Sequence, residues 1–236
     1  MLLAIDVGNT TTVIGGYEDE RLVCHWRVQT ERGITEDEFY LLLNNLFSAQ
    51  GKDLKMITAT IISCVVPPMV NSLNRFCLKY VRHAPIWVDA ATVKQMPIAY
   101  DSPKDVGADR LVNAIAAFRK HTSSLIVVDF GTATTFDCIS ESGVYLGGAI
   151  SPGILIASEA LFQKASKLPR VEIFGQPEAV IAKDTVSSMR AGIIYGYAGL
   201  VDGIVNRIKK EMNSLPKVVA TGGLADLMVQ VSESID

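Results

Sequence analysis

The chain has no Cys-x-x-Cys pair, no Gly-x-x-x-x-Gly-Lys-Ser/Thr loop, no Gly-x-Gly-x-x-Gly motif after a strand and no long apolar run. Each absence removes a class of protein. The four cysteines, Cys24, Cys64, Cys77 and Cys138, are dispersed, which argues against a zinc site or a disulfide scaffold and points to a reducing compartment. Without either glycine loop, P-loop and dinucleotide chemistry are unsupported. No stretch reaches the roughly 18 apolar residues of a membrane span. The opening "MLLAI" carries no basic residue and meets Asp6 too soon for a secretory h-region, so a cytosolic protein without a membrane partner is expected. With 22 basic against 25 acidic residues and no block of one sign, the footprint of a nucleic-acid binder is missing as well. His25, His83 and His121 share no spacing, and none reads as catalytic.

What is present is a globular chain of 236 residues, 49% of them hydrophobic, enough for one large domain or two small ones. Two stretches of it resemble each other. "AIDVGNTTTVIGGY" begins at Ala4 and "VVDFGTATTFDCI" at Val127, and aligned on their aspartates both read Asp-x-Gly-x-x-Thr-Thr. The matching residues are Asp6, Gly8, Thr11 and Thr12 in the first stretch and Asp129, Gly131, Thr134 and Thr135 in the second.

The surroundings repeat too. In the first half an apolar strand reaches Asp6, and "TVIGGY" and "RLVCHWRVQ" form a hairpin. A helix follows that opens on a Thr35/Glu38 capping box and carries Phe39, Leu42, Leu43, Leu46 and Phe47 on one face until Gly51. "MITATIISCVV" reads as a buried strand closed by Pro67 and Pro68, followed by a helix from Met69 to Val81 and a short strand "IWV". A turn-rich segment, "PIAYDSPKDVG", leads into a helix from Ala108. The second half restarts with the strand "SLIVVDF", a Thr-rich turn and the hairpin strand "VYLGGAI", then a helix opened by Pro152. A long helix from Asp184 to Asn213 and a closing strand, double-glycine turn and helix in "KVVATGGLADLMVQV" complete it. The expected fold is α/β: two duplicated halves, 1–107 and 108–236, each a mixed sheet flanked by helices, facing each other across a ligand-binding interdomain cleft.

A hairpin turn of this composition offers outward amides for polyphosphate oxygens, and small hydroxyl side chains follow those oxygens without bulk. The first turn, Asp6, Val7, Gly8, Asn9, Thr10, Thr11, Thr12 and Val13, is the expected nucleotide-phosphate loop. Asp6 would repel a bare phosphate, which makes sense if Mg²⁺ stands between them, held by one or two carboxylates through water. The turn therefore reads as a holder of metal–nucleotide polyphosphate.

Paired Asp-x-Gly-x-x-Thr turns with a late "ATGGLA" resemble the acetate and sugar kinase, Hsp70 and actin superfamily, whose actin-like (ribonuclease H-like) halves use the two turns as phosphate loops. In that fold the late double glycine approaches the adenosine. "DVGNTTTV", "YDSPKDVGADR", "DFGTATTFD" and "GGAISPG" together resemble type III pantothenate kinases, over nearly the whole chain. The resemblance implies ATP-dependent phosphorylation of pantothenate in coenzyme A synthesis. It places the general base at Asp109 and assigns Gly107, Ala108, Asp109 and Arg110 to substrate binding, with Tyr100 and Thr185 as further substrate contacts. It gives Thr132 to the ATP phosphates and Asp129 to a monovalent cation, K⁺ or NH₄⁺.

Each role has a plainer alternative. Asp109 suits the first turn of any helix. Arg110 could pair with a substrate carboxylate or be an ordinary surface arginine, Thr185 could cap its helix, and Tyr100 could cover the core. Asp105 and Asp137 are possible helpers or simple turn and rim acids. Gly192, Gly196, Gly199 and Gly203 share one face of the long helix, and each costs about 1 kcal/mol relative to alanine; either an internal helix packs there or, as the resemblance suggests, a second subunit of a homodimer. Another small-molecule kinase of the superfamily and a non-catalytic nucleotide-binding regulator are the competing functions.

Overall fold

The first strand, β1 (Leu2–Val7), turns Leu3, Ile5 and Val7 into the core, none more than 2% exposed, while Asp6 points to the opposite face. It pairs antiparallel with β2 (Thr11–Glu18), which pairs with β3 (Arg21–Gln29). On its other side it pairs in parallel with β4 (Ala59–Cys64), and the short β5 (Ile86–Trp87) closes the sheet in the order β3-β2-β1-β4-β5. The computed structural model describes residues 1–236. Contacts divide them into two compact units, Met1–Lys94 with Lys104–Val112 and Gln95–Pro103 with Asn113–Asp236.

In the first unit, helix α1 (Glu36–Ala49) joins β3 to β4. Its Thr35/Glu38 capping box is present, and Phe39, Leu43 and Phe47 form its buried stripe. Helix α2 (Pro67–Phe76) lays Leu73 and Phe76 against the same core, with Phe76 edge-on to Phe39 at 5.0 Å. Here the chain departs from the sequence reading. Pro67 and Pro68 open α2 rather than merely ending the strand, because a first-turn N–H has no helical acceptor and proline loses nothing there. The α-helical winding changes after Phe76 to a π-helical stretch, Cys77–Val81, so the helical segment still ends at Val81 as expected, before Arg82 at φ +61°.

The second unit holds β6 (Leu125–Phe130), β7 (Ala133–Ile139), β8 (Tyr145–Pro152) and β9 (Lys217–Gly222) in the order β8-β7-β6-β9. β6 to β8 form an antiparallel meander and β9 joins β6 in parallel. Helices α4 (Ile154–Lys164) and α5 (Thr185–Met212) connect β8 to β9, so each sheet is a meander, a helical crossover and a return beside the first strand. That is the expected duplication. Val201 and Val205 of α5 are fully buried with Ile126, Val128 and Phe136 of the sheet, and the short α6 (Ala225–Val229) adds Met228. Helix α3 (Ala108–His121) starts in the first unit and continues in the second.

The register corrects the alignment of the two turns. Val7 pairs with Thr12, and Phe130 pairs with Thr134. Gly8 N–H bonds to the Thr11 carbonyl, but Gly131 N–H bonds to that of Ala133. The second turn is one residue shorter, so Thr134 corresponds to Thr12, and both are buried, at 0% and 1% exposure.

Candidate active site

The first turn is braced from below. Gly8 donates its own N–H across the turn to Thr11 at 3.0 Å, so the expected outward amide at Gly8 is engaged within the protein, and the exposed tip is Asn9 and Thr10. Thr12 faces inward, its hydroxyl 2.9 Å from that of Thr30. Thr30 in turn donates to the Gly8 carbonyl at 2.7 Å and by its N–H to the Thr10 carbonyl at 3.0 Å. Thr12 therefore shapes the turn from inside, while Thr10 and the half-exposed Thr11 remain on the outer side.

Asp6, the last residue but one of β1, lies on the face away from the core, beside Ser63 of β4 and Val13 of β2. It keeps an open path to solvent but is crowded by protein, and that burial pushes its carboxyl above the usual carboxylate range. The negative charge of Asp109 pushes the same way, while the Ser63 hydroxyl eases the charge without closing a regular hydrogen bond. A carboxyl group made harder to ionise by burial and by a neighbouring negative charge favours a cation beside it. A cavity of about 320 Å³ opens beside Asp6, lined by Gly15, Ile61, Ser63, Val88 and Val112.

Asp109 occupies the first turn of α3, where its carboxylate accepts the Arg110 N–H at 2.8 Å. A Cβ at Gly107 would stand 2.5 Å from that carboxylate, so the glycine leaves Asp109 its position. Arg110 is only 7% exposed, unlike a surface arginine at a helix start.

In the second turn Thr132 is the exposed tip and Asp129 lies half-buried at the end of β6. Asp129 accepts from the Asn113 amide at 3.1 Å. The late double glycine reaches this place: Gly222 pairs with Phe130 at φ +94°, and a side chain there would meet the Asp129 carboxylate and the Phe130 backbone. The Gly153 N–H, just before α4, donates to the Thr132 carbonyl at 3.1 Å.

Tyr100 is 38% exposed. Thr185 begins α5, but its helix is capped by Asp184, which accepts from the Ser187 N–H at 2.9 Å; the cap alternative for Thr185 falls. Thr185 lines a depression of about 710 Å³ with Leu161, Lys183, Ser188 and Gly192.

Three contributors went unread in the sequence. Ser63 sits on β4 beside Asp6 and Thr30 directly follows β3, bonded to the turn, and only the pairing of the strands shows them. Arg32 reaches back to Asn9 at 3.2 Å, placing a positive charge at a tip that carries no lysine.

No three His, Cys, Asp or Glu side chains gather into a metal cage. The single carboxylate of Asp6, beside the phosphate-loop turn, fits Mg²⁺, which is commonly held by one or two carboxylates with phosphate and water completing its shell.

Two sheets of one strand order, each opening on an Asp-x-Gly hairpin turn, define the actin-like class of fold. Acetate kinase from Porphyromonas gingivalis shares it at a TM-score of 0.56 and 10% identity, over 97% of this chain and 85% of that one. A protein described as a Baf family transcriptional activator from Campylobacter jejuni shares it at a TM-score of 0.59 and 18% identity, over 99% and 89% of the two chains. Within that class, the chain belongs to the type III pantothenate kinase family, whose sequence model matches residues 2–207. It is 63% identical over 238 positions to a type III pantothenate kinase of Desulfatibacillum aliphaticivorans, covering 100% of this chain and 92% of the relative.

Proposed function

We propose that the chain transfers the terminal phosphoryl group of ATP to the primary hydroxyl of pantothenate, giving 4′-phosphopantothenate, the first step of coenzyme A synthesis, in the cytoplasm. The observation that carries this reading is the braced hairpin turn with its exposed, hydroxyl-rich tip, entered by the strand that carries Asp6, in a chain of this family.

Phosphoryl transfer asks the protein mainly for positioning and charge stabilisation. The tip of the first turn, with Arg32 beside it, holds the polyphosphate, and Thr132 contacts it from the second turn. Asp6 would hold Mg²⁺ through water, and the ion when bound neutralises charge on the phosphoryl oxygens. Asp109 receives the hydroxyl proton as the alcohol oxygen bonds to the terminal phosphorus and the bond from that phosphorus to the bridging oxygen breaks. Gly107, Ala108 and Arg110 position the alcohol with Tyr100 and Thr185, Arg110 meeting the pantothenate carboxylate. Asp129 takes a monovalent cation, K⁺ or NH₄⁺, steadied by Asn113.

The working unit is a homodimer. Gly192, Gly196 and Gly199 lie exposed on α5 with no atom within 4 Å of where a side chain would begin, and a side chain at Gly203 would meet only Arg207; this open face supports a second copy over an internal helix as its partner.

The reaction is tested by incubating the protein with ATP, Mg²⁺, K⁺ and pantothenate and measuring phosphopantothenate and ADP by mass spectrometry, with hexoses and acetate as alternative acceptors. Pantothenate-dependent ADP release supports the reading. ADP release with a hexose alone, or nucleotide binding without turnover, replaces it with one of the two competing functions.

A further inference from the structure

Asp137 is a carboxylic acid in the middle of β7 with 0% exposure, not the rim acid its sequence suggests. Its carboxyl group accepts the Tyr145 hydroxyl at 2.7 Å and the Thr135 hydroxyl at 3.1 Å. Burying such a group is unfavourable, and an apolar side chain of similar size is usually as good or better for stability. The carboxyl group does, however, hold Tyr145 in one place.

Tyr145 is fully buried, and its backbone docks the turn-rich segment before α3. The Tyr145 N–H donates to the Pro97 carbonyl at 2.9 Å and its carbonyl accepts the Ala99 N–H at 2.8 Å, so Ile98 forms a parallel bridge with it. The next residue is Tyr100. Its ring lies 6.4 Å from that of Tyr145, tilted by 52°, and rests over Gly147, where a Cβ would touch it at 3.4 Å. A continuous line of contacts thus runs from a buried acid through a buried tyrosine to an exposed one.

We infer that Asp137 is a positioning residue for the alcohol substrate: by fixing Tyr145 it fixes the Pro97–Tyr100 segment and hence the place of the Tyr100 ring. The inference rests on the reading of Tyr100 as a pantothenate contact. Asp137 itself touches no reactant.

Asp137→Ala, Asp137→Asn and Tyr145→Phe in the full chain test it by two measurements. In steady-state kinetics Asp137→Ala raises the KM for pantothenate about tenfold, the scale of one lost hydrogen bond, while the KM for ATP stays within about twofold. Asp137→Asn, which keeps an acceptor for Tyr145, restores most of the loss. Tyr145→Phe reproduces the Asp137→Ala pattern and serves if that variant does not fold. In hydrogen exchange, the Ala99 amide opens about tenfold faster in Asp137→Ala and Tyr145→Phe, and the Val127 amide of β6 does not. The second measurement needs no turnover, so a protein inactive toward pantothenate would refute the proposed reaction and leave the positioning measurable. Equal rises in both KM values, an unchanged pantothenate KM in an active enzyme, or unchanged exchange at Ala99 overturns the inference.

Discussion

The side-chain amide of Asn113 donates to Asp129 at 3.1 Å, from a position one helical turn beyond Asp109 on α3. Residues four apart on a helix share a face. The helix that carries the proposed base also steadies the proposed cation ligand. Replacing Asn113 with alanine should raise the KCl concentration for half-maximal activity about tenfold, as one lost hydrogen bond implies. Activity should recover at saturating KCl. A KCl titration at constant ionic strength measures it, and an unchanged midpoint separates Asn113 from cation binding.

Thr30 makes a second such link, joining the Thr12 hydroxyl, the Gly8 carbonyl and the Thr10 carbonyl beneath the first turn. Thr30→Val keeps the backbone bond and removes both side-chain ones, at about 1 kcal/mol each. The expected outcome is a KM for ATP raised up to about thirtyfold, as about 2 kcal/mol implies, with that for pantothenate unchanged.

Asp6 makes a pH prediction about stability. Burial, reinforced by Asp109, raises its folded-state pKa, so the folded state binds the proton more tightly than the unfolded chain does. Its contribution to stability is greatest below the ordinary carboxylate pKa and is lost as pH rises through the raised value. Asp6→Asn should therefore raise the melting temperature of the ligand-free protein at neutral pH, and the gain should shrink in acid, where Asp6 is protonated anyway. Stabilisation by Mg-ATP should disappear in the same variant. Melting curves from pH 4 to pH 8, with and without Mg-ATP, give both results. A variant less stable than wild type at neutral pH would contradict this account of Asp6.

Gly196 tests the subunit contact. It is exposed at the centre of the glycine face of α5 with open space around it, so Gly196→Arg is tolerated within one chain but not against a close partner. Sedimentation should show a dimer for wild type and a monomer for the variant, with the monomer's pantothenate KM raised at least tenfold if the partner covers the substrate site. Two identical sedimentation profiles would place any subunit contact elsewhere.

What was legible in the sequence was what neighbouring residues decide together. The Thr35/Glu38 box, the Phe39–Leu43–Phe47 stripe and the Asp-x-Gly turns all depend on spacings of a few residues, and all are in place. The turns and their flanking strands carry the duplication because a chain that must make the same bend twice uses the same small residues twice. Register is different. One residue fewer in the second turn moves Thr134, not Thr135, into the place of Thr12, and that is decided by hydrogen bonds across the turn. The burial of Asp137 was hidden for a similar reason. In "TTFDCI" the acid lies between Phe136 and Cys138, and β7 is covered on both faces beyond that point, so alternation no longer separates inside from outside. Ser63 reaches Asp6 through strand pairing, and Thr30 reaches the turn because the β2–β3 pairing brings the end of β3 beside it, which no local pattern encodes.

The central claim is that Asp109 accepts the proton of the alcohol being phosphorylated, and Asp109→Asn tests it most directly because the amide keeps the shape and loses the base. Single-turnover phosphopantothenate formation, measured beside ATP and pantothenate binding, should fall by about 10²- to 10⁴-fold, the usual contribution of a general base, with both ligands still bound within a few-fold of wild type. Phosphoryl transfer at a near wild-type rate in that variant would contradict the account.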